Sequence, residues 1–215
     1  MRRRALPTGR AGFTLVEAVV ASALFVLLMS SAVLAARGGM GAFRATQDTS
    51  AAETRVRRAL DRAVFELLSV GAGELLPNPT GDFGTDTLQY RKPVGLTGTT
   101  PDWGPSCSLT LEPAQGELDD GLDNDGNGLV DDGILVLTRD VGGNEHRAVL
   151  CRSVAELLEG EIANGADDNG NGVTDEAGFN VHRVGGVLFV RLSVQEAMET
   201  GTITRTLETS VRLRN

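Results

Sequence analysis

Two hydrophobic patterns follow one another in the first third of the chain. Residues 13–36 are predominantly apolar, with Glu17 as their only charge, and 24 residues at about 1.5 Å each form a helix of roughly 36 Å, which exceeds the roughly 30 Å core of a bilayer. Residues 37–72 then carry apolar side chains three and four positions apart, as in an amphipathic helix, after a glycine-rich weak point at 37–41. The predicted apolar face is Ala52, Val56, Ala59, Leu60, Ala63, Val64, Leu67 and Leu68, and the predicted solvent face is Arg55, Arg58, Asp61, Arg62 and Glu66.

From residue 73 onwards the pattern changes to short apolar runs, several of which alternate with polar residues. The segment Asp140-Val141-Gly142-Gly143-Asn144 is typical of a turn between two antiparallel strands. A long helix followed by antiparallel strands predicts an α+β fold, in which the amphipathic helix packs on one face of the sheet. The predicted strands lie at 87–90, 108–111, 133–138, 146–152, 179–184, 186–194 and 202–214.

Two acidic segments interrupt the predicted strands and repeat the same pattern. Residues 117–132 read ELDDGLDNDGNGLVDD, and residues 161–176 read EIANGADDNGNGVTDE. A disordered acidic linker would not keep this register, so the repeat indicates two specific loops. The identical pairs are Glu117/Glu161, Gly121/Gly165, Asp123/Asp167, Gly126/Gly170, Asn127/Asn171, Gly128/Gly172 and Asp131/Asp175.

Oxygen-bearing residues recur at every second position of each repeat. Hard oxygen ligands without His or Cys favour Ca²⁺, and the first half of the EF-hand pattern is present. Position 12 is Ile134 or Gly178 instead of Glu, so the loops resemble the D-x-D-x-D-G calcium loops of thrombospondin-like repeats. We expect one or two weak sites, with dissociation constants of about 10⁻⁴ to 10⁻³ M; two solvated Asx–Gly turns are the alternative. The predicted ligands are Asp123, Asp125, Asn127, Leu129 and Asp131 in the first loop and Asp167, Asn169, Asn171, Val173 and Asp175 in the second (Leu129 and Val173 through their carbonyls), with Asp132, Glu176, Glu117 and Glu161 as further candidates.

Charge and motif content exclude several classes of function. The net charge is −9 and Lys92 is the single lysine, so the chain lacks the clustered basic residues that bind nucleic acid. No G-x-S-x-G, H-E-x-x-H or P-loop pattern occurs. His146 and His182 lie in predicted strands without a nearby nucleophile pattern, and we expect no enzymatic activity.

The arginines before residue 13 predict the orientation of the apolar segment. Four arginines and no acidic residue precede it, which keeps the N-terminus cytoplasmic and places the rest of the chain outside. A cleaved secretory signal peptide is the alternative, although its apolar core would be shorter. Outside the cytoplasm, Cys107 and Cys151 are expected to form a disulfide; two buried thiols on strands are the alternative.

The segment Arg10–Ala18, RAGFTLVEA, resembles the class III signal of type IV prepilins and type II secretion pseudopilins. The resemblance implies that a prepilin peptidase removes residues 1–12 by cutting between Gly12 and Phe13 and then methylates the new amine. It also implies that Glu17 pairs with the Phe13 amine of a neighbouring subunit, which would supply the partner that a carboxylate inside a membrane needs. Residues 13–36 would form the inner-membrane or filament-core helix.

The segments SVRLRN (210–215), TLQYR (87–91) and RALDRAVFELL (58–68) are weaker patterns, and they are most similar to J-type minor pseudopilins and W-type minor pilins. By this resemblance residues 37–72 form the amphipathic half of the helix. Residues 73–215 form a periplasmic, pilin-like head with insertions at 117–132 and 161–176. The expected function is a structural subunit that assembles with other pilins or pseudopilins. A calcium-dependent adhesion module at a pilus tip and a membrane-anchored hydrolase are the alternatives.

Overall fold

A computed structural model of the protein describes residues 12–78, 81–170, 173–198 and 201–213. The chain divides into two compact units, residues 1–46 and 47–215. Helix α1 spans Leu15–Leu67 and continues through the glycine-rich segment 37–41, so the interruption expected there is wrong. Glycine lowers helix stability by about 1 kcal/mol relative to alanine, but it keeps both backbone hydrogen-bonding groups.

The first unit consists, in its described part, almost entirely of the apolar half of α1. None of its described residues is buried, and side chains such as Phe13 are 85% exposed. One described helix, α1, is long and apolar enough to cross a membrane, and a signal sequence near the N-terminus would meet the same criterion. The uncovered apolar surface is consistent with a single membrane anchor.

The second unit carries nine strands in one antiparallel sheet within the described residues. The hydrogen-bonded order is β1-β3-β4-β5-β6-β8-β7-β2, and β9 pairs with the other edge of β8. The predicted α+β class is therefore confirmed. The strands are β1 (Leu75–Leu76), β2 (Phe83–Thr85), β3 (Thr87–Thr97), β4 (Thr100–Pro113), β5 (Gly133–Arg139), β6 (His146–Val154), β7 (Phe179–Val184), β8 (Val187–Met198) and β9 (Gly201–Arg212).

All seven predicted strands are present, and the predicted turn at 140–144 joins β5 to β6. The sequence missed β1 and β2, because strands of two or three residues are too short for alternation to be visible. It also underestimated β3 and β4, which extend into a hairpin that turns between Thr97 and Thr100. The two acidic loops connect β4 to β5 and β6 to β7.

The amphipathic half of α1 packs against the sheet with the predicted stripe. Leu68, just beyond the helix end, is 51% exposed and Val64 is half-buried, so the stripe is narrower than expected. Glu66 was predicted on the solvent face but is buried, which is a clear error of the periodicity argument. The buried helix residues of the core are Ala52, Val56, Ala59, Leu60, Ala63 and Leu67.

Candidate metal centre

The described residues of the two acidic loops have the same backbone frame. The Ala114 amide donates to the Asp132 carbonyl at 3.0 Å, and the Leu158 amide donates to the Glu176 carbonyl at 2.9 Å. These residues are 44 positions apart, like the sequence repeat itself. The register predicted from the identical residues therefore corresponds to a repeated three-dimensional structure.

Left-handed backbone conformations recur at the same places in both loops. Asp131 and Asp175 have φ angles of 49° and 47°, a conformation that non-glycine residues rarely adopt. In each loop the aspartate carboxylate stabilises this backbone conformation. The Asp131 oxygens accept hydrogen bonds from the amides of Asp120 and Gly121, and the Asp175 oxygens accept them from the amides of Asn164 and Gly165. The glycines with positive φ in matching positions are Gly116/Gly160, Gly121/Gly165 and Gly126/Gly170.

Several side chains that were predicted to bind the cation in the first loop accept hydrogen bonds from backbone amides. The Asp123 carboxylate accepts the amides of Gly126, Asn127 and Gly128 at 2.7, 3.1 and 2.9 Å. The side-chain oxygen of Asn127 accepts the amide of Leu129 at 2.7 Å. These side chains, together with Asp131, satisfy the amides of a tight turn that no neighbouring strand reaches.

Three carboxylates of the first loop instead converge on one point. Glu117, Asp125 and Asp132 each offer an oxygen, and these oxygens lie within 4.8 Å of one another. Glu117 is 6% exposed and Asp132 is 2% exposed, whereas Asp125 faces solvent. Among the predicted ligands, two that were only further candidates therefore form most of this cluster, which we call the first-loop triad.

The hydrogen bonds of the triad leave one buried oxygen without a partner. Oε1 of Glu117 accepts the amides of Asn124 and Asp125, at 3.2 and 2.8 Å. Oε2 of Glu117 is buried and has no hydrogen-bond partner. Oδ1 of Asp132 accepts the side-chain amide of Asn127 at 2.9 Å. A buried carboxylate oxygen in this state is unusual, because desolvating it costs free energy unless another group compensates.

The electrostatics of the triad are unfavourable without a cation. Two like charges about 4.8 Å apart repel by about 3.5 kcal/mol at an effective dielectric constant of about 20. Burial raises the pKa of Asp132, the hydrogen bond from Asn127 lowers it, and the charges of Asp125 and Asp123 raise it further. Within the described residues, no ion pair joins a triad member to Lys, Arg or His.

An acidic cleft of about 260 Å³ opens beside the triad and shares Glu117 and Asp132 with it. Burial raises the pKa of Glu156 in this cleft, and the charges of Asp119 and Asp131 raise it further. No described Lys, Arg or His lines it. The cleft is therefore a negatively charged surface that includes two of the three triad carboxylates. Its carboxylate lining is Asp86, Glu112, Glu117, Asp119, Asp131, Asp132 and Glu156.

The second loop has a different charge arrangement at the equivalent positions. Glu161, Asn169 and Glu176 correspond to the three triad residues. Oε1 of the buried Glu176 accepts a hydrogen bond from Nη1 of Arg191 at 2.7 Å, and the Arg191 side chain is only 17% exposed. The amide of Asn169 donates to Oε1 of Glu161 at 3.1 Å, as in the first loop. Of the other predicted ligands here, Asp167 caps the Gly170 amide at 2.7 Å, whereas Asn171 lies outside the described residues.

No protein-family model matches this chain, and no curated protein or solved structure matches it either. The resemblances to pilins and to thrombospondin-like loops therefore rest on the residues that carry them. Function has to be argued from the chemistry of the anchor and of the loops.

The predicted assembly residue Glu17 has a local role at the start of α1. Its carboxylate accepts the amide and the hydroxyl of Thr14, both at 2.9 Å, and the hydroxyl of Thr14 accepts the Glu17 amide at 3.2 Å. This is a capping box, which satisfies amides at a helix N-terminus. The sequence analysis missed it, although the T-x-x-E spacing of Thr14-Leu15-Val16-Glu17 was visible. Gly12 and Phe13, at the predicted cleavage point, are exposed.

The predicted disulfide is not formed, because both cysteines are free and buried thiols. Cys107 on β4 pairs with Arg139, and Cys151 on β6 pairs with Leu135, so β5 runs between them. Two strand spacings are roughly 9.5 Å and four residues along a strand roughly 13 Å. A disulfide needs Cα atoms less than about 7 Å apart.

We expect both thiols to resist alkylation in the native chain. Burial raises the pKa of Cys151 to about 11, which the charge of Arg55 and a backbone hydrogen bond lower only in part. At pH 8 iodoacetamide should therefore label neither thiol before unfolding and both after unfolding, without any reductant, as read by intact mass. A chain that gains no label after unfolding without reductant would contain the disulfide after all.

Proposed function

We propose that this chain is a structural minor pilin or pseudopilin subunit, anchored in a bacterial inner membrane with its head in the periplasm. After processing by a prepilin peptidase it assembles into, or primes, a type IV pilus or a type II secretion pseudopilus. The observation that carries the proposal is the sequence around Gly12-Phe13 followed by an apolar helix with no buried side chain. The α+β head that follows this helix is compatible with the same role.

The physical chemistry of the anchor supports assembly with other subunits of the same kind. The side chains of residues 13–36 find no cover within their own unit, so lipid or neighbouring helices must surround them. Glu17 is the single charge in this segment, and a carboxylate in a bilayer needs a partner. The amine released at Phe13 on a neighbouring subunit would supply it, in competition with the intramolecular cap from Thr14.

The head takes part in this function as a compact, exported domain. Its acidic loops are long and mostly exposed, and they bury little apolar surface of their own. Ca²⁺ bound to them would order the loops and stabilise the head. In this proposal the cation is structural and the chain is not an enzyme.

We expect the mature protein extracted from its native membrane to begin at methylated Phe13. Intact mass should show the loss of residues 1–12 and the gain of one methyl group. A Gly12→Val variant should keep its full length, because the peptidase site has lost its glycine. The matched control is Gly9→Val, which changes a leader glycine away from the cut and should still be processed. An uncut wild-type chain would leave only a simple membrane anchor and would contradict the proposal.

A further inference from the structure

We infer that the two acidic loops have different partners, so that the chain binds one Ca²⁺. The first-loop triad of Glu117, Asp125 and Asp132 binds the cation, and the guanidinium of Arg191 takes its place in the second loop. This inference deepens the calcium part of the proposed function and is independent of the filament part.

The first argument is the geometry of the triad. Ca²⁺ binds carboxylate oxygens at 2.3 to 2.6 Å, so one ion joins oxygens up to about 5 Å apart. The three donor oxygens, within 4.8 Å of one another, therefore fit around a single ion without moving the backbone. Since no His or Cys contributes, the donor set suits a hard cation and not Zn²⁺ or copper.

The second argument is the state of Glu117, which does not depend on the clustering of acids. The side chain is more than nine-tenths buried, and its Oε2 has no hydrogen-bond partner. A solvated Asx–Gly turn would not bury a carboxylate oxygen in this way, because nothing would compensate for the lost water. A cation bound between Glu117, Asp125 and Asp132 supplies the missing partner.

The third argument is the contrast with the second loop, whose described residues repeat the frame of the first. There the Asp175 amide donates to Oε2 of Glu161 at 3.0 Å, so the oxygen that is unpaired in Glu117 has a partner. There Asn169 replaces one carboxylate by a neutral amide, and Arg191 donates to the buried Glu176 at 2.7 Å. Arg191 also donates to Glu208 at 2.6 Å, which fixes its position. The two carboxylates of the second loop are compensated by the guanidinium and need no divalent ion. The three carboxylates of the first loop have no such partner and need one.

The test measures calcium binding by equilibrium dialysis of the full chain in detergent, with radioactive calcium up to 10 mM. The variants exchange Asp125 and its equivalent in the second loop, Asn169. Asp125→Asn places in the first loop the amide that the second loop already carries at the equivalent position, Asn169, so it is expected to preserve the fold. We expect one Ca²⁺ per wild-type chain and an affinity at least about tenfold weaker in D125N, because ligand charge sets calcium affinity. The reciprocal variant Asn169→Asp should still bind one Ca²⁺, since Arg191 continues to occupy Glu176.

Each of the other possible results contradicts one stated part of the inference. Two ions bound to the wild type, or a second ion gained by N169D, would show that Arg191 does not replace the cation, while calcium binding itself would stand. Unchanged affinity in D125N would remove the triad as the site. No binding up to 10 mM would also remove calcium from the proposed function. None of these results depends on whether the chain is cut at Phe13.

Discussion

Replacing Glu66 by glutamine is expected to lower the free energy of unfolding of the head by about 3 kcal/mol. The Glu66 side chain is 1% exposed and accepts hydrogen bonds from Lys92 and, at 2.5 Å, from Arg139. Breaking a buried ion pair by removing one partner typically costs about 3 to 5 kcal/mol. The low end applies because Lys92 and Arg139 are themselves partly exposed and can be solvated. For a chain of this size the melting temperature should fall by about 6 to 12 °C.

The dependence of this loss on pH identifies its electrostatic origin. Burial raises the pKa of Glu66, but the hydrogen bonds and charges of Lys92 and Arg139 outweigh burial and hold the pKa below its ordinary value of 4.5. A carboxyl whose pKa is lower in the folded state stabilises the fold above its unfolded-state pKa. That stabilisation is lost as the pH falls below 4.5 through the folded-state pKa. The difference in melting temperature between wild type and E66Q should therefore shrink below pH 4.5.

The matched control is Glu53→Gln, which makes the same chemical change on an exposed position of the same helix. Thermal unfolding of the full chain in detergent should show a change of less than about 0.5 kcal/mol for this variant. Equal losses for the two variants, or an E66Q loss that does not change between pH 7 and pH 3, would mean that the ion pairs of Glu66 do not stabilise the head.

Glu66 also shows what periodicity cannot predict. The helical pattern places it among charged neighbours, and a glutamate in such a position is normally solvated. Its partners lie 26 and 73 residues further along the chain, on β3 and at the end of β5. Such long-range pairs depend on the arrangement of the strands, which the alternation of hydrophobic residues does not specify. By contrast, the apolar stripe of α1 and the seven longer strands depend on local periodicity, and the sequence predicted them.

The sequence predicted where the candidate metal centre lies in the chain, but it did not predict which side chains form it. The register of the two repeats located both loops, and their described residues share a backbone frame. The EF-hand spacing, however, assigned Asp123, Asn127 and Asp131 to the cation, whereas in the structure these side chains accept backbone amides of the tight turn and lie outside the triad. Asp125 accepts the Asn127 amide at 2.9 Å through Oδ1 and still belongs to the triad. Spacing alone does not show which oxygens a loop needs for its own amides. The ion pair between Arg191 and Glu176 could not be predicted either, because Arg191 lies on β8, outside both repeats.

The absent glutamate at position 12 of the EF-hand pattern now has a structural reason. Ile134 belongs to β5 and pairs with Glu112 and Arg152, so this position is part of the sheet and not of the loop. Gly178 immediately precedes β7; its amide donates to the Glu156 carbonyl at 2.8 Å and its carbonyl accepts the Ser193 amide at 2.7 Å. Both loops end in sheet at the place where an EF-hand would begin its second helix.

Because Gly178 is packed between two backbones, Gly178→Ala is expected to destabilise the head strongly. A Cβ atom at this position would overlap the carbonyl oxygen of Ala155. A flexible side chain could move aside, but this oxygen belongs to the backbone beside β8, where the Ala155 amide also donates to Ser193. Overpacking typically costs about 1 to 3 kcal/mol, and we expect about 3 kcal/mol or more here, which lowers the melting temperature by at least about 6 °C.

The chain provides a matched control in Gly186, in the turn between β7 and β8. A Cβ at Gly186 would meet no atom within 4 Å, and neither glycine has the positive φ that alanine would strain. Gly186→Ala should therefore change stability by less than about 1 kcal/mol, in either direction. The comparison of G178A with G186A separates the effect of steric overlap from the lower conformational entropy that any glycine-to-alanine change gives the unfolded chain. Equal melting temperatures for G178A and G186A would mean that the segment before β7 can move away from Ala155, and that close packing there does not fix where the second loop ends.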